Sequence, residues 1–315
     1  MIQPAISVRD LVILQRDADM QSSYKPALLK ALVRLVRTDP APAYTRTQIA
    51  RQFLSLYWNQ TIVYHLRQAP SLAREPVVLR AIRFAAERHR VRRLADLPPG
   101  AVERLIARLA SALPVVLKAF HASAPGAMPP LFTWTSPESI VMLSAPGFRS
   151  LAEHGAELEL IANHWWARYL ERVNKLAPYV IRKVEREGAE RGSLTTFLHV
   201  LRQLDTLTCF YCDRRLDESV VTHVDHVLPW AFLLEDELWD LVLACAPCNL
   251  AKSDRLPDRS FVDRLQRRNE RHAQTLLRGR NISAFVQGVD LYRLYDSALA
   301  LEWPGPWLPA AGALA

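Results

Sequence analysis

The 315-residue chain carries 40 Lys and Arg against 32 Asp and Glu, a net charge of +8, and half of its residues are hydrophobic. That composition supports ordinary buried cores and excludes a disordered, charge-dominated chain. No apolar run approaches the ~20 residues of a membrane span, and the opening MIQPAISVRDLVILQRD lacks the basic-then-apolar pattern of a secretory leader; a soluble, cytoplasmic protein of two domains is therefore expected. The positive charge is uneven. Residues 1–200 hold 27 Lys and Arg against 16 Asp and Glu, whereas residues 201–315 hold 13 against 16. Any attraction for a phosphate-bearing partner is therefore expected from the first part. No nucleotide-binding loop, methyltransferase motif or helicase motif is present, so an energy-dependent step would need a partner protein.

In chain order, residues 7–21 predict a short helix. Ser22 and Ser23 read as an N-cap for a helix over Lys25–Arg37, with Pro26 in its first turn and Asp39-Pro40 at its end. IARQFLSLYWNQT predicts the next helix, with Phe53, Tyr57 and Trp58 assigned to the core rather than to base stacking. Residues 75–93 predict a third helix bearing Arg80, Arg83, Arg88, Arg90, Arg92 and Arg93, with Glu87 the one acid between Arg80 and Arg93. A guanidinium pairs bidentately with phosphate, so Arg80, Arg83, Arg90 and Arg93 are candidate nucleic-acid contacts; a solvated helix face has the same pattern, and the sequence leaves both readings open. Residues 101–121 predict a helix kinked near Ser111 and Pro114. Residues 122–137 read as a loop and Ser139–Ser144 as a short strand. A long helical pattern runs from Phe148 to about Glu187, broken at Pro178, with Trp165 and Tyr169 on one packed face. Gly188 to Gly192 is a break, and Leu194–Leu207 is a connecting helix.

All four cysteines follow within residues 209–248, as Cys209-Phe-Tyr-Cys212 and Cys245-Ala-Pro-Cys248. Each x-x spacing makes a tight turn that aims two sulfurs at one ion, so the four fit a tetrahedral structural Zn²⁺. Disulfides would require an oxidising compartment, and isolated buried thiols would not be paired. The 32 residues between the pairs exceed the usual ribbon spacing. That insert contains Val220–Val224, β-branched and alternating, then Asp225-His226-Val227-Leu228-Pro229, and a second apolar run at Leu241–Leu243. A helix opens after Cys248.

The strand–strand–helix order, with VDHVLPWAFLLEDELWDLVL…CNLAKSD, resembles the ββα-metal finger of HNH endonucleases, including the zinc-stapled HNH proteins of bacteria and phages and the HNH domain of RNA-guided nucleases. The likeness covers about Cys209–Pro257, under a fifth of the chain. It implies that Asp225 and Asn249 hold a catalytic Mg²⁺ or Mn²⁺, that His226 is the general base, and that the backbone bends to bring Asp225 and His226 to one site. An imidazole suits the task because it titrates near neutrality, and oxygen ligands suit a hard divalent cation. Lys252, one turn beyond Asn249, is a candidate phosphate contact. The middle Asn of the family pattern is Asp240 here. In the family that residue holds the loop and orients the base; an ionised Asp accepts but does not donate, and its charge would act on His226 if the two were close. His223, two residues before Asp225, is open to two readings, as a further ligand or phosphate contact, or as a packed strand residue.

Beyond the finger, Asp258–Leu277 predicts an arginine-rich helix in which Arg264 and Arg268 are candidate phosphate contacts; the alternative is that the helix covers the back of the finger. Leu291–Leu301 predicts a last helix, and WPGPWLPAAGALA a loosely ordered tail. The expected fold is mainly α with a small α+β part: a helical domain over 1–200, the zinc-stapled finger over 201–275, and a C-terminal helix and tail over 276–315. YKPALLKALVRL resembles the opening helix of helical domains placed ahead of HNH or other restriction-type nucleases, which implies DNA or partner binding by the first domain and a setting in restriction or phage defence. The function implied is DNA endonuclease. The alternatives are a zinc-stapled nucleic-acid-binding module without catalysis and an RNA-cleaving nuclease or toxin. A single finger cuts one strand, so a double-strand break needs a homodimer or two events.

Overall fold

The computed structural model describes residues 6–16, 23–70, 75–122, 124, 128–134, 140–186, 193–278 and 290–310. The chain is mainly α with a small antiparallel part, divided into two compact units: residues 1–175 with 180–189, and residues 176–179 with 190–315.

The first unit is built around α2 (Tyr24–Thr38). Its sequence is apolar on nearly every side, the mark of a helix surrounded by others, and Pro26 to Val33 are all buried. Around it lie α3 (Arg46–Trp58), α5 (Pro99–His121), α6 (Ala145–Glu153) and α7 (Gly155–Val173), with α1 (Val8–Arg16) packed on α7. Lys30, in the middle of this apolar helix, donates to Asn163 Oδ1 at 2.7 Å and to the Val184 carbonyl at 3.1 Å, which answers the cost of burying an ammonium. Ser23 precedes α2, but its hydroxyl makes no cap; it bonds Gln68 Oε1 at 2.6 Å and meets Tyr57 Oη at 3.0 Å. Ser22 and residues 17–21 lie outside the described residues, as do Gly188 to Gly192. Phe53, Tyr57 and Trp58 are buried as expected. In α7 it is Trp166 that enters the core, its indole donating to Gln68 Oε1 at 3.0 Å, while Trp165 is half-buried.

Three local expectations are corrected by the fold. The arginine-rich helix α4 is Val77–His89 and stops short of Arg93, because Arg90 takes the left-handed conformation (φ 52°). The Arg90 and Val91 amides then close onto the Glu87 and Ala86 carbonyls, a Schellman-type end without its usual glycine. The expected 122–137 loop contains β2 (Phe132–Trp134), which pairs with β3 (Ile140–Leu143); β1 (Ala43–Thr45) completes a three-stranded antiparallel sheet in the order β1-β3-β2. The pattern from Phe148 breaks at His154 as well as near Pro178, giving α6, α7 and α8 (Val180–Glu185).

The second unit starts with α9 (Thr195–Leu204) and holds a two-stranded antiparallel hairpin, β4 (Thr222–His226) and β5 (Leu241–Cys245), in register from Thr222↔Cys245 to His226↔Leu241. A short helix α10 (Trp230–Leu233) fills the connection, α11 (Ala246–Lys252) follows β5 directly, and α12 (Arg259–Arg278) and α13 (Leu291–Ala300) complete the unit. The tail is not loose over 303–307. Trp303 and Trp307 are buried, the Trp307 amide donates to Leu256 O and the Asp258 amide to Trp307 O, both at 2.8 Å, and Trp307 meets the rings of Tyr211 and Phe261. These residues have no helical or strand period because they pair with one short segment, Leu256 to Asp258.

Candidate metal and nuclease site

The four cysteines converge. Their sulfurs lie within 4.8 Å of one another, all four side chains are buried, and Cys212 and Cys245 Sγ are 3.8 Å apart. Four thiolates about 2.3 Å from a tetrahedrally bound Zn²⁺ would sit about 3.8 Å from each other, so the cluster fits the ion. The first knuckle is shaped by the left-handed Asp213 (φ 58°), whose amide donates to Cys209 O at 2.9 Å, and it is pinned to the hairpin by Phe210 N donating to Leu243 O at 2.8 Å. The second knuckle uses the junction of β5 and α11, with Cys245 ending the strand and Cys248 one turn into the helix. Burial pushes the Cys209 thiol up to about 11; a cation must displace its proton, so uptake of the ion releases protons and strengthens as pH rises.

The knuckle reaches the hairpin through Tyr211, a residue that sequence reasoning misses because it sits inside the Cys-x-x-Cys turn. Tyr211 Oη donates to Asp225 Oδ2 at 2.6 Å, and Lys252 Nζ lies 3.1 Å from the same oxygen. Asp225 is almost wholly buried, and a buried carboxylate needs such partners. Lys252 is therefore not where a phosphate contact was expected. Its side chain points inward, its ammonium donates to the His226 carbonyl at 2.6 Å, and it lies against the Tyr211 ring. One turn from Asn249 placed it on the same helix face, but that face meets the strand rather than solvent. Replacing Lys252 by Met should cost the second unit about 3–5 kcal/mol, because it strands the Asp225 carboxylate. Urea unfolding would measure this; unchanged stability with weakened nucleic-acid binding would instead return Lys252 to the phosphate role.

On the same strand face as Asp225, His223 Nδ1 receives the Asn249 amide nitrogen at 2.7 Å. An amide nitrogen only donates, so Asn249 is held with its oxygen turned away from His223. Asp225 Oδ1 and Asn249 Oδ1 are hard oxygen donors of the kind a divalent cation takes.

His226 is the last residue of the strand, paired with Leu241. Its Nε2 lies 2.9 Å from Asp236 Oδ1. A carboxylate accepts, so Nε2 carries the proton and, in the neutral ring, Nδ1 carries the lone pair. That Nδ1 is buried without a partner among the described residues. Asp236 is the second residue that sequence reasoning misses; it is one of three consecutive acids, Glu235, Asp236 and Glu237, with nothing in the pattern to single it out.

Asp240 is fully buried and fastens the turn after the strand: its Oδ1 accepts from Leu228 N at 2.8 Å and its carbonyl from Val227 N at 2.9 Å. Burial pushes its carboxyl well above the ordinary carboxylate range, against the opposing pull of the Leu228 amide and Lys252. Because the folded form holds its proton more tightly than the unfolded chain, this group contributes stability below about pH 4 that is lost as pH rises. Asp240→Asn keeps the acceptor for Leu228 and removes the ionisation. It should raise the melting temperature of the second unit at neutral pH by a few degrees, at roughly 2–4 °C per kcal/mol, with the gain vanishing near pH 4. A lower melting temperature at pH 7 would contradict this.

The arginines divide. Arg268 is buried, donating to the carbonyls of Leu241 at 2.9 Å and Leu238 at 3.0 Å and pairing with Asp205; it ties α12 to the hairpin and does not face a ligand. Arg264 is salt-bridged to Asp213 and stands over the Phe210 ring. The exposed arginines on this face are Arg267 and Arg271, which with Asp213, Arg264 and Glu270 line an open groove of about 870 Å³. In the first unit Arg83 is paired with Glu75 and Arg93 with Asp96, each at 2.8 Å, while Arg80 and Arg90 are exposed.

A hairpin and helix closed by four cysteines, with an acid and an imidazole on the first strand and an amide on the helix, define a zinc-stapled ββα-metal finger. Residues 209–258 match the HNH endonuclease family, which supports a nuclease acting on nucleic acid. No curated protein and no solved structure matches the chain. Among the described residues no helix is long and apolar enough to cross a membrane.

Proposed function

We propose that this protein is a metal-dependent endonuclease that hydrolyses DNA phosphodiester bonds, acting in the bacterial cytoplasm in restriction or phage defence with partner proteins or as a homodimer. The observation that carries the reading is His226, fixed through Nε2 by Asp236 and left with an unpartnered Nδ1 at the end of the strand that also bears Asp225. In this reading Nδ1 takes the proton of the attacking water, and Asp236 holds the ring and stabilises the imidazolium that results. Asp225 and Asn249 would hold Mg²⁺ or Mn²⁺, with Tyr211 and His223 fixing their orientation; such an ion would supply positive charge for the phosphate and the leaving oxygen. Asp240 fastens the turn behind His226, in place of the family's Asn. Zn²⁺ is structural. The domain division follows the same reading: residues 1–200 bind DNA or a partner, 201–275 cut, and 276–315 are the C-terminal helix and tail. Supercoiled plasmid incubated with Mg²⁺ or Mn²⁺ should be nicked or linearised. An intact plasmid with degraded RNA would move the substrate to RNA, and no hydrolysis of either by zinc-loaded protein would leave a binding module.

A further inference from the structure

Helices α4 and α5 enclose a groove of about 380 Å³. Its floor is Ala81, Ala85, Ala101 and Leu105. Phe84 stands in it with 57 % of its surface exposed, and Arg88, Arg104 and Arg108 rim it. Phe84 and Arg88 are one turn apart on α4; Arg104 and Arg108 are one turn apart on α5, so guanidiniums stand on both sides of one exposed ring. These three arginines are exposed and have no ion-pair partner among the described residues. No acid lines the groove, and the neighbouring Glu103 and Asp96 are already paired with Arg51 and Arg93.

We infer that this groove binds a single strand of nucleic acid, with a base stacked on Phe84 and flanking phosphates held by Arg88, Arg104 and Arg108. An accessible aromatic face within a cationic track is what a single strand requires, since every base has a stacking face and every phosphate accepts a guanidinium fork. An acidic amphipathic helix would need several large apolar pockets at helical spacing; the floor offers alanines, one leucine and one ring. The site differs from the stretch that the sequence suggested: of the arginines between Arg80 and Arg93 only Arg88 lines the groove, Arg83 and Arg93 are paired with Glu75 and Asp96, and two of the three groove arginines come from α5. The inference does not depend on the hydrolytic reading of the finger.

The test uses the full zinc-loaded chain, labelled oligothymidylate and no added Mg²⁺ or Mn²⁺, with affinity read by fluorescence anisotropy across a salt series. Phe84→Leu should weaken binding on the order of tenfold with little change in salt slope, and Phe84→Tyr should restore it. The double variant Arg104→Gln, Arg108→Gln should weaken binding and flatten the slope by about 0.7 for each phosphate no longer neutralised. Wild-type affinity in both variants overturns the site. So does displacement by poly-glutamate with no effect of Phe84→Leu, which would mark an acidic protein partner instead. A parallel plasmid-cleavage assay keeps the two readings apart, because loss of hydrolysis with intact strand binding fails the nuclease and leaves the groove standing.

Discussion

Stripping Zn²⁺ should unfold the finger while leaving the first unit folded. The four sulfurs close a loop that contains the whole hairpin, and Zn²⁺ in finger peptides is worth about 10–16 kcal/mol of apparent binding free energy at neutral pH. Without the ion, four buried thiols lose their common ligand, and the Phe210–Leu243 backbone bond that pins the first knuckle to β5 loses its support. The cores of α2, α3, α5 and α7 involve no cysteine. Chelation followed by limited proteolysis should therefore expose residues 205–258 while most of the helical signal persists. Cys245→Ser should act likewise, and more severely at low pH, because proton competition for the remaining thiols weakens the ion's hold. Tyr211 connects this to chemistry. It sits between Cys209 and Cys212 and bonds Asp225, so loss of zinc should also abolish hydrolysis in a way that added Mg²⁺ alone does not restore. Undiminished protease resistance after metal analysis confirms zinc removal would refute a structural role.

The cysteine quartet is legible in the sequence because each pair is a local turn and the residue type has few other uses at that spacing. The hairpin is legible for a related reason: the β-branched run Val220–Val224 marks a strand by residue type and the apolar Leu241–Leu243 by its burial, and the structure shifts the paired segments only to Thr222–His226 and Leu241–Cys245. What the sequence hides is the direction in which polar side chains point. Asp236 reaches His226 across ten residues of turn and short helix. Lys252 shares a face with Asn249, yet only the packed structure shows that this face covers Asp225. Arg268 is more accessible to reasoning than its misassignment suggests. Phe261, Leu265 and Arg268 follow the i, i+4, i+7 period of a buried face, which places Arg267 and Arg271 outside. Trp303 and Trp307 cannot be read from periodicity at all, since a segment that pairs once with Leu256–Asp258 leaves no repeat in the sequence.

Replacing His226 by Ala should lower DNA hydrolysis by about 10²–10⁴-fold, the range that a positioned general base supplies, while strand binding in the first unit and zinc content stay at wild-type levels. The side chain is 2 % exposed and its Nε2 partner Asp236 is 28 % exposed. Asp236→Ala provides the sharper comparison. It leaves His226 in the chain but frees the ring to rotate and to exchange its tautomer, so turnover should fall with KM nearly unchanged, and Asp236→Asn, which can still accept from Nε2–H, should recover part of the loss. A merely structural contact would instead lower the melting temperature without separating turnover from KM. If His226→Ala cleaves plasmid at the wild-type rate, the lone pair on Nδ1 is not the base, and the hydrolytic group must be sought on the Asp225 face of the strand, where His223 stands beside Asn249.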